Sequence, residues 1–286
     1  MTSHLGFIMA YWEEEIRSLT GKAIHRFGLI EDGDRILVGV SGGKDSLTLL
    51  TLLHERRKRV DVQYELIPVH INLGFGSHQE TALRTFFEER NLPYRIEETQ
   101  IGRKAHGAEN RENPCFLCAW ERRKKIFHLA HRLGCNKIAL GHHKDDIIET
   151  FLLNIFYSAE ISTMLPIQKL FRGKITLIRP LALVEEKKIE RFAREKGLPV
   201  VPSGCPSSGK TKRKEIKGII ETLAKENPKV KGNIFRSLSN IKLDYTLMGW
   251  KKVEGTGFGA LEPVTKKSVC RVPREQGRTG DERSVE

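Results

Sequence analysis

Short apolar segments alternate with amphipathic segments over residues 35–196, and this alternation constrains the fold more than any other feature of the chain. The pattern predicts five strands, over residues 35–40, 65–72, 94–97, 137–140 and 175–178. It predicts helices over residues 46–59, 78–89, 115–133, 145–157 and 184–196. Strands separated by helices form a parallel sheet covered on both faces. We therefore predict an α/β fold, a doubly wound parallel sheet that binds its ligands beyond the carboxyl ends of the strands.

The segments outside this alternation complete the predicted organisation. Residues 11–28 have the pattern of an amphipathic helix, which predicts an N-terminal helical extension at residues 1–29 before an α/β domain at residues 30–200. Two helical stretches, at residues 212–225 and 234–248, predict a small C-terminal helical region over residues 201–248. Residues 249–286 are rich in glycine and charge with little periodicity, so we predict a flexible tail there.

The balance of charge points to a polyanionic partner. Forty-nine Lys and Arg residues stand against 36 Asp and Glu residues, a formal net charge of +13. Such an excess favours nucleic acid, because basic side chains neutralise phosphates and release counterions; a well-solvated basic surface is the alternative. No apolar run approaches the roughly 18 residues of a membrane helix, so we expect a cytoplasmic protein without a membrane partner.

An octapeptide that joins the first predicted strand to its helix reads Gly39, Val40, Ser41, Gly42, Gly43, Lys44, Asp45 and Ser46. Its glycines let backbone N–H groups converge on an anion, the helix N-terminus adds partial positive charge, and its serines add hydroxyl donors. The spacing differs from a Walker A loop, which needs Gly at position 38 and Ser or Thr after the lysine. A carboxylate at that position is explained by a Mg²⁺ ion between it and the phosphates. The octapeptide is therefore predicted to be a phosphate cradle, with an ordinary strand-to-helix turn as the alternative.

Cysteines form the second chemical feature of the chain. Cys115 and Cys118 open a predicted helix, and their spacing puts both sulfurs on one face near a helix N-terminus that stabilises thiolates. A thioredoxin-like redox pair is the alternative, although that motif follows a first strand. Cys205 lies in a Gly/Pro-rich loop after the last α/β helix, where the same edge of the sheet could receive it. Three cysteines suit a four-iron cluster with one open iron, or a structural zinc if a His completes the set.

The two other cysteines are not assigned to this predicted centre. Cys135, at the start of the fourth predicted strand, is expected to be a buried small hydrophobe, and Cys270 lies in the predicted tail. An odd number of cysteines, five, also favours metal binding, redox chemistry or burial over a disulfide framework.

The octapeptide at residues 39–46 resembles the PP-loop of the ATP-pyrophosphatase superfamily, whose members bind ATP and adenylate a carbonyl oxygen with release of pyrophosphate. A longer ordered series, residues 41–46, 114–118, 140–150, 152–156, 179–181 and Cys205, resembles the cluster-dependent tRNA thiolases, especially the tRNA 2-thiocytidine synthetases. This resemblance implies that Cys115, Cys118 and Cys205 hold a [4Fe-4S] cluster whose unligated iron carries sulfur. One departure is that the family pattern around the third ligand often reads Cys-x-x-Cys, whereas residues 203–208 contain a single cysteine, Cys205.

The resemblance also implies which residues bind the nucleotide. The implied cofactor-binding residues are Gly39, Ser41, Gly42, Gly43, Lys44, Asp45, Ser46, Ile71, Arg122 and Gly141. The implied catalytic residues are Lys44, Asp45 and Asp146, with Mg²⁺ beside the phosphates. Gly141 is expected to let backbone approach the adenosine, and Ile71 to offer backbone to the adenine. For Asp146 the alternative is a helix cap, and for Arg122 it is a solvated position in the basic run 122–125.

The implied reaction is ATP-dependent thiolation of tRNA. ATP adenylates the C2 oxygen of a pyrimidine, and sulfur then displaces AMP. Cytidine is favoured because neither end of the chain carries the paired cysteine modules of 2-thiouridine synthetases. The alternatives are a persulfide on Cys115 or Cys118 without a cluster, a non-catalytic Fe–S or RNA-binding module, and amidation or lysidine formation, which leaves the three cysteines unexplained.

Expected partners follow from the same resemblance. They are tRNA and a sulfur donor, either a cysteine desulfurase or a sulfur-carrier protein, and a homodimer is consistent with this group of enzymes. The basic runs at residues 122–125 and 210–214, with Lys217, Lys229 and Lys231, are candidates for contacts to the tRNA backbone, which position an RNA without identifying the base.

Overall fold

A computed structural model describes residues 2–76, 78–201, 204–207, 211–242, 250–252 and 261–263. The chain divides into two units, Met1–Phe235 and Arg236–Glu286, and each is described by itself. Across the described ranges, no helix has both the length and the apolar composition needed to span a bilayer.

A six-stranded sheet forms the centre of the first unit, in the order β3-β2-β1-β4-β6-β5. Its strands are β1 (Asp34–Gly39), β2 (Tyr64–Asn72), β3 (Arg95–Glu98), β4 (Lys137–Ala139), β5 (Ile167–Leu170) and β6 (Ile175–Ile178). All neighbours pair in parallel except β5, which pairs antiparallel with β6. The doubly wound sheet is confirmed, with this edge strand as a correction. The sequence Ile-Gln-Lys-Leu of β5 lacks the strict alternation that predicts a strand.

Helices flank the sheet on both faces. They are α1 (Thr2–Phe27), α2 (Lys44–Arg56), α3 (His78–Glu88), α4 (Ile101–Ala105), α5 (Pro114–Arg132), α6 (Lys144–Ser158), α7 (Glu186–Glu195), α8 (Lys212–Glu226) and α9 (Val230–Ser237). The helix predicted over residues 234–248 was wrong over residues 238–242, because α9 begins earlier and ends at Ser237, and residues 243–248 lie outside the described residues. Ser239 and Asn240, which favour turns, donate backbone bonds to Arg236 and Ser237 there. The short α4 was not predicted.

Two apolar cores lie on opposite faces of the sheet, because successive side chains of a strand point to opposite sides. Ile36 and Val38 of β1 belong to the larger core with α1, α2, α3 and α7, whereas Leu37 packs on the side of α5. A third core joins α6, α8 and α9. Cys135 is buried on the α5 side, which confirms its prediction, and burial raises the pKa of its thiol to about 11.

In the second unit, β7 (Trp250–Lys252) and β8 (Leu261–Pro263) pair antiparallel. No strand was predicted here, because three residues are too few to show a period of two. Residues 253–260 and 264–286, which include Cys270, lie outside the described residues. The domain boundaries at residues 29, 200 and 248 stay predictions.

Candidate functional site

The carboxyl ends of β1 and β4 lie side by side where the order of the strands reverses. The chain passes from β1 to β2 on one side, while β4 pairs with β1 on the other. Open α/β sheets bind ligands at such switch points, beyond the carboxyl ends of the strands. The predicted phosphate cradle, residues 39–46, leaves β1 at this position, and the loop at residues 140–143 leaves β4 beside it.

Two serines hold the cradle in shape. Ser46 Oγ accepts a hydrogen bond from the N–H of Ser41 and donates one to the carbonyl of Gly43, both at 3.0 Å. Ser41 Oγ lies 3.1 Å from Ser46 Oγ and accepts a bond from the N–H of Gly43 at 3.3 Å. Gly42 has a φ of +81°, in the left-handed region that favours glycine. The serines, predicted to donate to phosphate, therefore also fix the conformation of the loop.

Gly141 is explained by a close approach of two backbone segments. A Cβ atom at this position would lie 3.0 Å from the carbonyl carbon and oxygen of Asp45, and 3.0 Å from the nitrogen of Ser46. A side chain would therefore push on the first turn of α2, where the cradle becomes helix. This contact is with protein backbone, and the predicted approach to adenosine stays a prediction.

Gly39 and Ile71 also lie among packed protein atoms. A Cβ atom at Gly39 would lie 3.0 Å from Cδ2 of Leu140 and 3.5 Å from Cδ1 of Ile126. Ile71 packs in the core on the α5 side. Any contact of these two residues with a nucleotide therefore involves their backbone, and it stays a prediction.

Lys44 of the cradle belongs to a network of ion pairs. Its ammonium lies 3.0 Å from Oε1 of Glu186 and 3.2 Å from Oδ1 of Asp45. The second oxygen of Glu186 accepts a bond from Lys217 Nζ at 2.6 Å. Burial alone would raise the pKa of Glu186, but the two ammonium groups lower this pKa to about 2. Burial alone would lower the pKa of Lys44, but Asp45 and Glu186 raise it, so Lys44 is charged.

Asp145 extends this network to α9. Its Oδ2 accepts a bond from the N–H of Glu186 at 2.8 Å, and its Oδ1 accepts one from Lys231 Nζ. Burial would raise the pKa of Asp145, but these two bonds lower it. Lys217 and Lys231 were grouped with the RNA-contacting residues in the sequence analysis. Both ammonium groups are paired with acids beside the cradle, and their contact with tRNA stays a prediction.

Asp146, predicted to be catalytic, caps α6. Its Oδ2 accepts a bond from the N–H of His143 at 3.0 Å, and its own N–H donates to His143 Nδ1 at 3.3 Å, which forms a capping box. Its Oδ1 accepts a bond from Arg213 at 2.9 Å. The helix-cap alternative is therefore observed, and a catalytic role for Asp146 stays a prediction.

The first turn of α5 is built to present Cys115 and Cys118. Asn113 is the N-cap, and its side-chain oxygen accepts bonds from the N–H groups of Cys115 at 2.9 Å and Phe116 at 3.4 Å. Pro114 occupies the first helical position, where its missing N–H costs nothing. The helix therefore begins where the cysteine pair begins.

The three predicted cluster cysteines lie in one neighbourhood. Cys115 is exposed, Cys118 is buried and Cys205 is half-buried. Burial raises the pKa of the Cys118 thiol, Arg122 acts to lower it, and the thiolates of Cys205 and Cys115 raise it further. Cys118 is therefore within electrostatic range of the other two sulfurs and of the guanidinium of Arg122.

The described donors around Cys115, Cys118 and Cys205 do not form a site for a single metal ion. Among the described residues, no three His, Cys, Asp or Glu side chains lie close enough to hold one metal ion. The thiolates of a [4Fe-4S] cluster each bind a different iron, so they are spread more widely than around zinc. His106, 4.0 Å from Cys205 Sγ, is occupied by Ser207 Oγ at 2.7 Å and the carbonyl of Gly102 at 2.9 Å. It is therefore poorly suited to complete a zinc site.

The segment that carries the third cysteine also touches the cradle. The N–H of Val201 donates to the carbonyl of Gly42 at 3.1 Å. Cys205 is four residues further on, so its Cα lies within about 14 Å of that of Val201. The cysteine neighbourhood and the cradle are thus joined by one short segment of chain.

Glu186 is the main site residue that the sequence analysis missed. It lies 142 positions from Lys44 and carries no motif of its own. The only signal was its place at the start of a helix after the last parallel strand, at the edge of the sheet where ligands bind.

Comparisons with known proteins agree with this geometry. Residues 13–219 match the PP-loop domain family. A tRNA-cytidine(32) 2-sulfurtransferase of Geobacter sulfurreducens is 41 % identical over 240 residues, which cover 82 % of this chain and 92 % of that protein. The chain belongs to this PP-loop family of tRNA-cytidine 2-sulfurtransferases. Another family member, from Syntrophotalea carbinolica, is 39 % identical over 248 residues, which cover 85 % of this chain and 95 % of that protein.

A solved structure provides the likeness in three dimensions. The U34-tRNA thiolase NcsA from Methanococcus maripaludis, determined with its [4Fe-4S] cluster, is 25 % identical and has a TM-score of 0.67. The match covers 80 % of this chain and 78 % of that one. Membership of the chain in the PP-loop sulfurtransferase family is therefore supported by its fold as well as by its sequence.

Proposed function

We propose that the protein is an ATP-dependent tRNA sulfurtransferase that converts cytidine 32 of tRNA to 2-thiocytidine. The observation that carries this proposal is the junction of two sites: the segment leading to Cys205 is hydrogen-bonded to Gly42 of the phosphate cradle. Adenylation and sulfur transfer act on the same C2 atom, so the two sites must lie close together. The named activity of the relatives supports the choice of cytidine.

In the first step, the C2 oxygen of cytidine attacks the α-phosphate of ATP, and pyrophosphate leaves. The backbone N–H groups of the cradle and the ammonium of Lys44 would stabilise the phosphate charge. Adenylation turns a poor leaving oxygen into AMP. In the second step sulfide (HS⁻) attacks C2, the bond between C2 and the adenylated oxygen breaks, and AMP leaves while the sulfide proton is released to solvent.

Asp45 suits the Mg²⁺ that the reaction requires. Its Oδ1 is buried, and the ammonium of Lys44 lies 3.2 Å from it. A buried carboxylate oxygen beside phosphates is the kind of ligand that Mg²⁺ takes in nucleotide sites. When bound, the ion neutralises charge on the phosphates.

Cys115, Cys118 and Cys205 would hold a [4Fe-4S] cluster. When bound, the cluster supplies an iron without a protein ligand, which is open to sulfur. Arg122 favours the thiolate of Cys118, the form that binds iron, against the opposite effect of burial. A half-buried position for Cys205 leaves a path from solvent for the sulfur donor.

The tRNA would approach over the first half of α5. Arg122, Arg123 and Lys124 are exposed there, directly after the cysteine pair, and such cations bind RNA phosphates. Lys125, in the same run, is paired with Glu97 at 3.0 Å. The sulfur donor (a cysteine desulfurase or a sulfur-carrier protein), a homodimeric assembly and a cytoplasmic location are further parts of this proposal.

The proposal is tested by incubating anaerobically purified protein with tRNA, Mg-ATP and sulfide. Nucleosides from the digested tRNA are then separated and identified by mass spectrometry, and AMP and pyrophosphate are measured. We expect 2-thiocytidine together with one AMP and one pyrophosphate per thiolated base. Neither 2-thiocytidine nor pyrophosphate would appear if the chain were a non-catalytic RNA-binding module.

A further inference from the structure

Two lysines from distant parts of the chain share one carboxylate at the cradle. Oε1 of Glu186 accepts a bond from Lys44 at 3.0 Å, and Oε2 accepts one from Lys217 at 2.6 Å. Both side chains retain an open surface, with 26 % of Lys44 and 38 % of Lys217 exposed. Lys217 therefore lies beside Lys44, the lysine of the phosphate cradle. A ligand bound on the cradle can contact the ammonium of Lys217.

Helix α8 carries Lys217 and is held in place by other contacts. Ile216 and Ile220 are buried in the core that α8 forms with α6. Arg213, one turn earlier, pairs with Asp146 at 2.9 Å and with Glu149 at 3.3 Å. These contacts fix the helix on α6 independently of Lys217, so a role for Lys217 in docking the helix is unnecessary.

The ammonium of Lys217 has unused donors. A lysine ammonium carries three hydrogen atoms that can be donated. Within the described ranges, Glu186 is the single hydrogen-bond acceptor of Lys217, so two donors remain for a ligand. Burial would lower the pKa of Lys217, but Glu186 raises it, which keeps the group charged. A charged ammonium with spare donors at the edge of a phosphate cradle suits phosphate oxygens.

We propose that Lys217 is a second phosphate-binding lysine, which holds the β- and γ-phosphates of ATP and then the pyrophosphate leaving group. Glu186 is the positioning residue that keeps Lys44 and Lys217 side by side. The inference rests on the proposed function, because it requires that ATP binds on the cradle. It also assigns α8, the helix that follows the Cys205 segment, to the nucleotide site.

The test compares three nucleotide-site ligands on the full-length protein. Equilibrium dialysis with Mg²⁺ and no tRNA gives the dissociation constants of ATP, pyrophosphate and AMP for the wild type and six variants. Lys217→Met should weaken the binding of ATP and of pyrophosphate by about tenfold or more, because a charge-assisted hydrogen bond is lost. AMP lacks the β- and γ-phosphates, so its binding should change by less than about twofold. Lys217→Arg should restore most of the ATP affinity.

Two variants serve as controls. Lys225→Ala removes an exposed lysine two turns further along α8 and should bind all three ligands like the wild type. Lys44→Met removes the lysine of the cradle itself and should weaken ATP strongly. Unchanged ATP binding in Lys44→Met would overturn the proposed function, whereas wild-type ATP binding in Lys217→Met alone, or an equal loss of AMP, would overturn only this inference.

The role of Glu186 is tested by combining substitutions. If Glu186 acts by placing Lys217, the double variant Glu186→Gln/Lys217→Met should bind ATP no more weakly than the weaker of the two single variants. Fully additive losses would show that Glu186 does not act through Lys217. Far-UV circular dichroism spectra like that of the wild type would show that the fold of each variant is retained.

Discussion

The phosphate cradle and the cysteine neighbourhood are built in opposite ways. The cradle is one continuous segment whose shape comes from its own hydrogen bonds, chiefly those of Ser41 and Ser46. The cysteine neighbourhood joins the start of α5 to a segment nearly 90 residues later, and its sulfurs are brought together only by the fold. A local site survives changes elsewhere, whereas an assembled site depends on each contributing segment.

The largest effect should come from the assembled site. Cys115→Ala, Cys118→Ala and Cys205→Ala should each abolish thiolation, because a cluster that loses one of three protein ligands is not retained. The readout is 2-thiocytidine in tRNA, with circular dichroism to confirm the fold. Cys135→Ala is the matched control, since Cys135 is buried away from the site and should leave activity unchanged. A Cys205→Ala variant of normal activity would remove that residue from the site.

The next largest effect should come from a substitution that impairs the phosphate cradle and leaves the cysteine neighbourhood intact. Gly141→Ala should weaken ATP binding by about tenfold or more, because its Cβ would press on the backbone of Asp45 and Ser46. Iron content should remain that of the wild type. Gly218→Ala is the control, because a Cβ there meets no atom within 4 Å. Loss of iron in Gly141→Ala would show that the cradle and the cysteine neighbourhood are not independent.

A smaller effect concerns the acid stability of the network at the cradle. Because the pKa of Glu186 falls from 4.5 to about 2 on folding, its ionised form stabilises the protein fully above pH 4.5, and this contribution is lost as the pH falls towards 2. Glu186→Gln should therefore be less stable than the wild type at pH 6, with the difference narrowing at pH 3. Urea unfolding at both pH values measures this. A constant difference would mean that the ion pairs with Lys44 and Lys217 do not carry the effect.

The smallest effect is expected from the C-terminal segment. Truncation after residue 249 removes β7, β8 and the predicted tail but leaves the cradle and the cysteine neighbourhood untouched. ATP affinity should stay within about twofold of the wild type, as measured by dialysis. A large loss would mean that the tail contributes to the nucleotide site.

The same contrast explains what could be predicted from sequence. Strands β1, β2, β4 and β6 are marked by apolar runs, and the cradle by a continuous octapeptide, so both were predicted to within a few residues. The antiparallel strand β5 has no alternation, and α4 is only five residues long, so neither gave a periodic signal.

Long-range contacts could not be read from the sequence. In the sequence Lys217 was one of several basic residues predicted to contact tRNA. In the structure its ammonium donates a hydrogen bond to Glu186 beside the cradle. Gly141 was expected to let backbone approach the adenosine, which stays a prediction, and the structure adds that it makes room for the backbone of Asp45. In both cases the residue type was informative, but its partner is fixed by packing of helices that are far apart along the chain.

The proposed mechanism depends on three thiolates that hold a [4Fe-4S] cluster beside the phosphate cradle. It is tested most directly by measuring iron and acid-labile sulfide in anaerobically purified protein together with its thiolation activity. We expect about four irons and four sulfides per chain, with activity rising in proportion to iron content during reconstitution. Full activity with almost no iron would contradict it and would favour a persulfide on Cys115 or Cys118.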